Sequence, residues 1–532
     1  MFFRCAGMHC ACWNGIKTPE QMVEDLTAEV ATLRAELKQQ KAIISELLKR
    51  LYSSKSEQMD ASQLLLLLSE DDVKKPDAAG HGGQEPEGDP KTCKPRAKRS
   101  NKLSDSLRGL PSIERVVVAP EVAANPDAYR LIGEEVSERL HVSPQSFTRE
   151  IIRRQTHVKR GDLDVAPVTP ALDPCLLPGS VLTPSLGAML LTEKFCYHQP
   201  FYRMEWRLRA THGIELRRDL MCSWHNHMAS MLLPLHERLK EKMRAGNYLK
   251  VDETPIRCLE PGHGKTIQGY LWTYHHPEHG VLFDWHNSRG GDCLKEVLID
   301  EVNAANSFGG HLQSDGYSAY RAFMASHPGL NIQPVSCLAH IRRKFVEARE
   351  DQPRISAWVL IQIGKIYELE ARLRLRGAGS ELRRRARRRW SLRRYQHLIR
   401  LTRHLILRHR ITPRSPLGKA LHYAHDQWPH LEACFEHGQI DFDNNLVENA
   451  IRPTKLGHKN WMFVGGKDTG WRSAVIYTLV EQVRAHGADP YRYLEWVLEK
   501  LMRHPDPNAA QIDTLLPAAW IRRQHTAVGK IA

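Results

Sequence analysis

Three acidic residues, far apart along the chain, have the neighbours expected of metal-binding carboxylates. Asp252 interrupts the strand-like run YLKVDETP, Asp315 ends a second such run in LQSDGY, and Glu448 lies in DNNLVENAIRP. A carboxylate in an otherwise apolar strand needs a charged partner or a metal ion. Oxygen ligands of this kind hold the two divalent ions, ~3.5–4 Å apart, that assist phosphodiester cleavage. The alternative for each acid is a plain surface residue or a helix cap, since the chain has 61 acids.

The elements predicted around these acids can bring them together. Strands are predicted over 248–256, 267–275, 281–285, up to 315 and near 332–337, and a helix over 293–302. This order of elements is that of an RNase H-like α/β domain, a mixed sheet with helices on its faces. Asp443 or Asn444 is predicted to cap a helix that Pro453 ends, which places Glu448 about one turn in. Two strand-end carboxylates and one helical carboxylate then converge at the sheet edge.

Arginine dominates the segment between the second and third acids. These two acids are 133 positions apart, which is more than such a domain needs, and helical periodicity over 357–375 and 392–407 predicts a helical insertion. Between positions 372 and 414 the chain has sixteen Arg and one acid, so we predict contact with a DNA backbone. A solvated helix face is the alternative. The candidate contacts are Arg383, Arg384, Arg385, Arg387, Arg388, Arg389, Arg393 and Arg394, with Trp390 and Tyr395 interleaved.

A heptad repeat precedes these elements. Its apolar positions are Val23, Leu26, Val30, Leu33, Leu37, Ile44, Leu47 and Leu51. The alternating spacing of three and four predicts a coiled coil and a homodimer or higher oligomer through residues 23–51. An amphipathic helix packed on its own chain is the alternative. Pro, Gly and charge then predict a disordered linker, whose basic end at 94–102 either touches phosphate or is solvated.

A second DNA-binding region is predicted upstream of the acids. Helices over 186–196, 201–210 and 217–228, with a turn at Gly213, form a helix-turn-helix-like pattern. Arg217 and Arg218 open its second helix and are candidate DNA contacts. Such helix corners are also frequent in plain helical bundles.

Composition excludes several classes of protein. The chain of 532 residues has 76 Lys and Arg against 61 acids, a net charge of +15 that favours a polyanionic partner. The longest aliphatic run, residues 64–68, is far shorter than a membrane span, and the first fifteen residues lack a signal-peptide pattern. Eleven Cys without any Cys-x-x-Cys argue against a disulfide scaffold and a zinc ribbon, and for a reducing, cytoplasmic compartment.

Two other patterns suggest a metal site but are weaker. Cys337 and His340 have the spacing of half a zinc site, yet no second pair lies nearby in sequence, and buried Cys is ordinary packing. Five histidines are scattered over predicted turns and strands: His263, His275, His276, His279 and His286. We expect no metal at either pattern.

Five ordered motifs resemble those of the insertion-sequence-66 family of bacterial DDE transposases. They are VDETP, GYLW, LQSDGYSAY, CLAHIRRKF and DNNLVENAIRP followed by HKNWMFVGG. The similarity runs over about 178–501. It implies an RNase H-like catalytic domain whose catalytic and metal-binding triad is Asp252, Asp315 and Glu448. It also implies two Mg²⁺ ions, for which Mn²⁺ can substitute, cleavage at transposon ends, and strand transfer of the 3′-hydroxyl into target DNA.

One feature departs from the family pattern. Members commonly carry a four-cysteine zinc-binding module between linker and helix-turn-helix, whereas no Cys occurs here between Cys93 and Cys175. We therefore expect no zinc, and interpret residues 109–178, which show no clear period, as a degenerate form of that module.

Cations and an aromatic residue follow the third acid. Arg452, Lys455 and Lys459 are candidate contacts to the phosphates of the cleaved strand, and Trp461 is a candidate to stack on an unpaired base. Packing in the protein core is the alternative for Trp461.

The sequence thus predicts a DNA transposase of an insertion sequence, cytoplasmic and nucleoid-associated in a bacterium. Its partners are transposon-end and target DNA, together with small accessory proteins of the same element. The alternatives are a transposase-derived DNA-binding regulator without catalysis, and a magnesium-dependent nuclease that does not join DNA. The predicted organisation is 1–18 unassigned, 19–72 coiled coil, 73–108 linker, 109–178 zinc-module-like, 179–246 helix-turn-helix-like, 247–345 catalytic, 346–440 helical insertion, 441–505 catalytic, and 506–532 tail.

Overall fold

The computed structural model describes residues 110–143, 146–160, 166–260, 265–408 and 411–528. The predicted coiled coil and linker lie outside the described residues. Within them, no helix has both the length and the apolar character that a membrane span requires.

Strands and helices alternate through this part of the chain. The strands are β1 Ser112–Val117, β2 Tyr129–Ser143, β3 Ser146–Lys159, β4 Tyr248–Leu259, β5 Thr266–His276, β6 Gly280–His286, β7 His311–Ser314 and β8 Gln333–Ser336. The first helices are α1 Pro120–Ala124, α2 Pro184–Phe195, α3 Phe201–His212, α4 Arg218–Arg244, α5 Lys295–Leu298, α6 Ser318–Ser326, α7 Leu338–Glu347 and α8 Pro353–Leu375. The others are α9 Ser380–Ala386, α10 Leu392–Leu407, α11 Pro416–Gln427, α12 Ala433–Glu436, α13 Asn445–Trp461, α14 Trp471–Ala485, α15 Pro490–Arg503, α16 Ala509–Leu515 and α17 Pro517–Val528.

The region without a clear sequence period is a small sheet of order β1-β3-β2. Strands β2 and β3 form a long antiparallel pair, to which β1 adds in parallel. Charged residues of both signs are interspersed among apolar ones and pair across the strands, as Arg153 does with Glu134 at 2.7 Å. These exposed pairs hide the two-residue period from which a strand is normally predicted.

The central sheet has the order β6-β5-β4-β7-β8. Strands β4, β5 and β6 are antiparallel to one another, whereas β7 is parallel to β4 and β8 is parallel to β7. Helices α4 and α14 pack on β6, and α13 packs on β4 and β5. The strands predicted over 248–337 are therefore observed within a few residues of their predicted ends.

The buried residues form two hydrophobic clusters. One joins the central sheet to α2, α3, α4, α14 and α15. The other lies among α7, α8, α10 and α11, so the predicted helices over 357–375 and 392–407 have a core of their own.

Three segments differ from their predictions. The helix predicted over 217–228 is the first part of a longer, 27-residue helix, α4. The helix predicted over 293–302 is replaced by a 3₁₀ turn and the four-residue α5. The segment predicted as a tail, 506–532, contains α16 and α17, which pack on α4 and α14. Burial of Trp520 and Ile521 explains why that segment is helical.

Pro453 does not end the helix that carries Glu448. Helix α13 continues through it to Trp461. The missing N–H of a proline removes one backbone hydrogen bond. The helix is stabilised in spite of this lost hydrogen bond by the burial of one continuous stripe of side chains. This stripe contains Val447, Ile451 and Thr454.

Candidate active site and nucleic-acid interface

Asp252 lies on β4, and Asp315 lies at the end of the neighbouring parallel strand, β7. Lys250 of β4 is opposite Gln313 of β7. The same register continued by two residues places Asp252 level with Asp315, which directly follows β7. Two hydrogen bonds fix the position of Asp315. Its carboxylate accepts from the Tyr317 N–H at 2.8 Å, and its backbone carbonyl accepts from the Tyr423 hydroxyl at 2.6 Å.

Glu448 lies in the first turn of α13. The helix start is attached to β4, because the buried Asn444 donates from Nδ2 to the carbonyl of Val251 at 2.9 Å. The Asn444 backbone N–H donates to the Cys337 sulfur at 3.3 Å, which joins the same point to the start of α7. The fold therefore brings Glu448 towards the strand that carries Asp252.

The charges of these acids act on one another. Burial, followed by the negative charges of Glu253, Asp315 and Glu448, raises the pKa of Asp252 to about 7. The buried Oε1 of Glu448 has no hydrogen-bond partner. Carboxylates gathered in this way are stabilised by a bound cation, and oxygen donors suit Mg²⁺ or Mn²⁺. The residues therefore fit a divalent metal site.

The three acids do not form the tightest group of possible ligands. Among the described residues, two groups have ligand atoms all within 4.8 Å of one another, and one of them contains Cys337, His340 and Glu448. His340 lies 3.8 Å from Glu448, and Arg343 lies 3.6 Å from the same carboxylate. Burial lowers the pKa of His340. His340 lies in the motif CLAHIRRKF, but its spacing from Cys337 predicts only half of a zinc site and not a position beside Glu448.

Cys337 is a poor zinc ligand in this setting. Burial raises the pKa of its thiol to about 12, and its sulfur already accepts the Asn444 N–H. Zinc binds the thiolate. The oxygen and nitrogen atoms of Glu448 and His340 are thus the more suitable donors of this group.

Glu253, next to Asp252, has a different environment. It is buried and pairs with Arg289 at 2.6 Å, and it accepts a hydrogen bond from the Tyr320 hydroxyl. The Arg289 guanidinium lies 4.0 Å from the centre of the Tyr317 ring. Glu253 is therefore neutralised by the protein itself, whereas Asp252 has no cationic partner among the described residues.

The second close group, Asp284, His286 and Glu296, is an ion-pair cluster. Asp284 lies 3.1 Å from Lys240 and 2.8 Å from His286. Although burial opposes its charge, the hydrogen bond to Asp284 raises the pKa of His286 to about 10. Ion pairs within the protein therefore already balance the charge of this cluster.

The structure contradicts the prediction that Arg387 contacts DNA. Arg387 is fully buried, lies in the π-helical turn between α9 and α10, and forms a bidentate pair with Glu370 at 2.7 and 2.9 Å. It also donates to the carbonyls of Cys434 and Ile440, each at 2.7 Å. Its role is to close the core of the insertion.

The other arginines of this segment divide into two groups. Arg383 is largely buried between Glu370 and Asp441, at 3.0 and 2.6 Å, so two acids already pair with its guanidinium. Acids outside the segment thus neutralise part of the segment's charge. Arg384 pairs with Glu381, and Arg394 donates to the Trp390 carbonyl. Of the eight predicted DNA contacts in this segment, the exposed ones without an acidic partner among the described residues are Arg385, Arg388, Arg389 and Arg393.

Three predicted cations share a helix face with Glu448. Arg452, Lys455 and Lys459 are exposed and follow it by 4, 7 and 11 residues on α13. Residues at this spacing lie on one face, and eleven residues span roughly 16 Å at 1.5 Å each. We call these residues the α13 cation row. No acid among the described residues pairs with them.

The structure brings Arg218, Lys459 and Trp461 together around one cavity. Arg218 begins α4 next to Arg217, which pairs with Asp219 at 2.6 Å. Positions 217–220 are exposed, whereas the rest of α4 buries one face. Trp461 is half-buried, so part of its side chain packs against the protein and part is exposed. Predictions made from two separate sequence regions therefore meet at one surface.

Comparison with known proteins gives consistent results. Residues 179–471 match the family described as transposase IS66 family, and residues 478–518 match the IS66 C-terminal element. The uncharacterized protein y4jD of Sinorhizobium fredii is 30% identical over 94% of this chain and 96% of its own length. The uncharacterized protein y4qI of the same organism is 31% identical over 76% of this chain and 75% of its own length.

Proposed function

The chain belongs to the IS66 family of transposases, and from that membership we propose that it cuts the ends of an insertion sequence and joins them to target DNA. The observation that carries the proposal is that the charges of Asp315 and Glu448 both raise the pKa of Asp252. Their mutual repulsion, and the unpartnered Oε1 of Glu448, favour a site that takes up cations.

We propose an RNase H-like fold for the domain that carries them. Three antiparallel strands, β4 to β6, are followed by two parallel strands, β7 and β8, on the other side of β4. The first two acids lie on the two central neighbours of this sheet. This arrangement supports the proposal independently of the motifs.

The three acids would hold two divalent ions, Mg²⁺ or its substitute Mn²⁺. Such ions, when bound, activate water or a DNA 3′-hydroxyl and stabilise the leaving oxygen. Asp252 must lose its proton to contribute a charged ligand. Asn444 orients the helix of Glu448, and Arg343 and His340 limit the positions open to its carboxylate.

The remaining parts of the proposal concern DNA. The α13 cation row and the exposed arginines of the insertion would bind phosphates and so position the duplex without reading its sequence. A helix-turn-helix role for α3 and α4 would use the exposed Arg217 and Arg218. Self-association through residues 23–51 and small accessory proteins remain predictions.

The test is DNA cleavage and joining by the purified full chain. The substrate is labelled DNA that carries the inverted repeats flanking its gene, with Mg²⁺ or Mn²⁺. We expect nicked and joined products from the unmutated chain and from the exposed control Asp426→Asn. We expect neither product from Asp252→Asn or Glu448→Gln. Binding without nicking by the unmutated chain would favour the regulator, and cleavage without joined product would favour the nuclease.

A further inference from the structure

A cavity of about 770 Å³ lies beside the end of α13, lined by residues of α2, α3, α4 and the segment after Trp461. We infer that it binds one unpaired nucleotide of a DNA strand, with the phosphate on its cations and the base on its apolar wall. The inference rests on the proposed function, because it takes DNA to be the ligand of the neighbouring carboxylates. We call it the nucleotide cavity.

The charge of the nucleotide cavity favours an anion. Five cations line it, and no carboxylate does: Lys194, Arg203, Arg218, Lys459 and Arg472. The Lys194 ammonium lies 4.3 Å from the ring centre of Phe201 and 4.7 Å from that of Trp461. It has no acidic partner among the described residues, and burial lowers its pKa to about 8. A phosphate would supply the missing negative charge and the hydrogen-bond acceptors.

A buried histidine in the same cavity favours a base. His225 is 8% exposed, and its Nδ1 lies 3.2 Å from Oδ1 of Asn226. Its Nε2 is buried without a hydrogen-bond partner in the described residues. Because burial lowers the pKa of His225 to about 3, the ring is neutral. With Nδ1 donating to Asn226, Nε2 is left as an acceptor, which suits the amino group of a base better than a phosphate oxygen.

One wall of the nucleotide cavity is apolar and contains a strained turn. Trp461, Met462, Phe463 and Val464 line it in succession. Met462 has a φ of 62°, a left-handed conformation that a non-glycine residue rarely adopts. The turn is held because the Val464 N–H donates to the Arg257 carbonyl of β4 at 2.9 Å. Strained turns of this kind often occur at binding sites, and an aromatic wall suits base stacking.

Helix α13 links the nucleotide cavity to the proposed active site. Lys459 belongs both to the α13 cation row and to the cavity lining. The roughly 16 Å of helix between Glu448 and Lys459 corresponds to about five nucleotides at the 3.4 Å spacing of B-form DNA, and to fewer in an extended strand. A strand cut at the carboxylates therefore reaches the cavity, which favours a DNA strand over a free nucleotide.

The test compares single-stranded and double-stranded probes. The full chain is titrated in EDTA at pH 8 with fluorescent dC12, dT12, a blunt twelve-base-pair duplex, and dCMP. We expect dC12 to bind more tightly than the duplex, and more tightly than dT12, which lacks the amino group. Lys194→Met should weaken dC12 binding at least about tenfold. It should also lower the slope of log affinity against log salt by about the amount expected for one lost phosphate contact. Arg522→Met, which removes an exposed cation elsewhere, should leave both the affinity and the slope unchanged.

Alkylation gives a second readout on the unmutated chain. Cys222 is exposed and lines the cavity, so dC12 should protect it from iodoacetamide, with Cys175 as the internal reference. This readout decides the question if Lys194→Met does not fold.

Several results would overturn the inference. One is a loss of dC12 binding in Arg522→Met equal to that in Lys194→Met. The others are alkylation of Cys222 that dC12 does not slow, and protection of Cys222 by dCMP that is as strong as protection by dC12. Since EDTA prevents cleavage, the two proposals can fail separately. A chain that binds dC12 as described but never cuts DNA would refute only the proposed function, whereas cutting with an unprotected Cys222 would refute only this inference.

Discussion

Asn444 donates a hydrogen bond of 2.9 Å to the carbonyl of Val251, the residue that precedes Asp252. Asn444 is fully buried and lies just before the helix of Glu448. One neutral amide therefore connects the strand of the first acid to the helix of the third.

We expect Asn444→Ala to impair both stability and cleavage. The change leaves a buried carbonyl without its donor, which costs about 1–3 kcal/mol, and frees the start of α13. Urea denaturation and DNA nicking measure the two effects. Asn445→Ala, at an exposed neighbouring position, is the control. Equal behaviour of the two variants would show that Asn444 does not position Glu448.

Asp252 should make the stability of the chain depend on pH. Its pKa is raised to about 7 in the fold, whereas an Asp in an unfolded chain has a pKa near 3.9. Between these values the folded chain holds a proton that the unfolded chain has lost, so this group lowers the free energy of unfolding as pH rises towards 7. Asp252→Asn should therefore raise Tm at pH 8, with a smaller gain at pH 5. Mg²⁺ should raise Tm at pH 8 in the unmutated chain more than in the variant. A gain independent of pH would contradict the raised pKa.

Substitutions at the adjacent residues Arg387 and Arg388 should affect different properties, the first stability and the second DNA binding. Arg387→Met leaves Glu370 buried without its bidentate partner, and we expect a loss of about 3–5 kcal/mol in unfolding free energy. Arg388→Met removes an exposed cation and should leave the unfolding curve nearly unchanged while weakening DNA binding. Denaturation and a salt-dependent binding assay separate the two. If Arg387→Met were as stable as Arg388→Met, its assigned structural role would be wrong.

Lys455 tests the α13 cation row. Lys455→Ala should weaken binding to all DNA sequences about equally and reduce the slope of log affinity against log salt by about one. Fluorescence anisotropy at several salt concentrations measures this slope. Lys500→Ala, an exposed lysine of α15, should leave it unchanged. A change confined to one DNA sequence would instead indicate base reading by Lys455.

The sequence allowed much of the central sheet to be predicted, because β4 to β8 are short apolar runs bounded by turns. The family resemblance, drawn from five motifs, is confirmed by the match over residues 179–471. The long β2–β3 pair was missed because its charges pair across strands. Burial of Arg387 could not be foreseen, since its partner Glu370 is seventeen positions away and only the fold brings them together. Lys194 and His225 lie in helices of the predicted helix-turn-helix-like pattern, but only the tertiary structure gathers them beside Trp461.

The passage of α13 through Pro453 has a mechanical consequence. A helix that stopped there would leave Glu448 and Lys459 joined by a flexible connection. An unbroken helix instead fixes both the distance and the relative orientation of the two residues. One inserted residue would shift Lys459 by about 1.5 Å and rotate it by about 100° out of line. Length changes between these two residues should therefore be tolerated far less than substitutions on the helix surface.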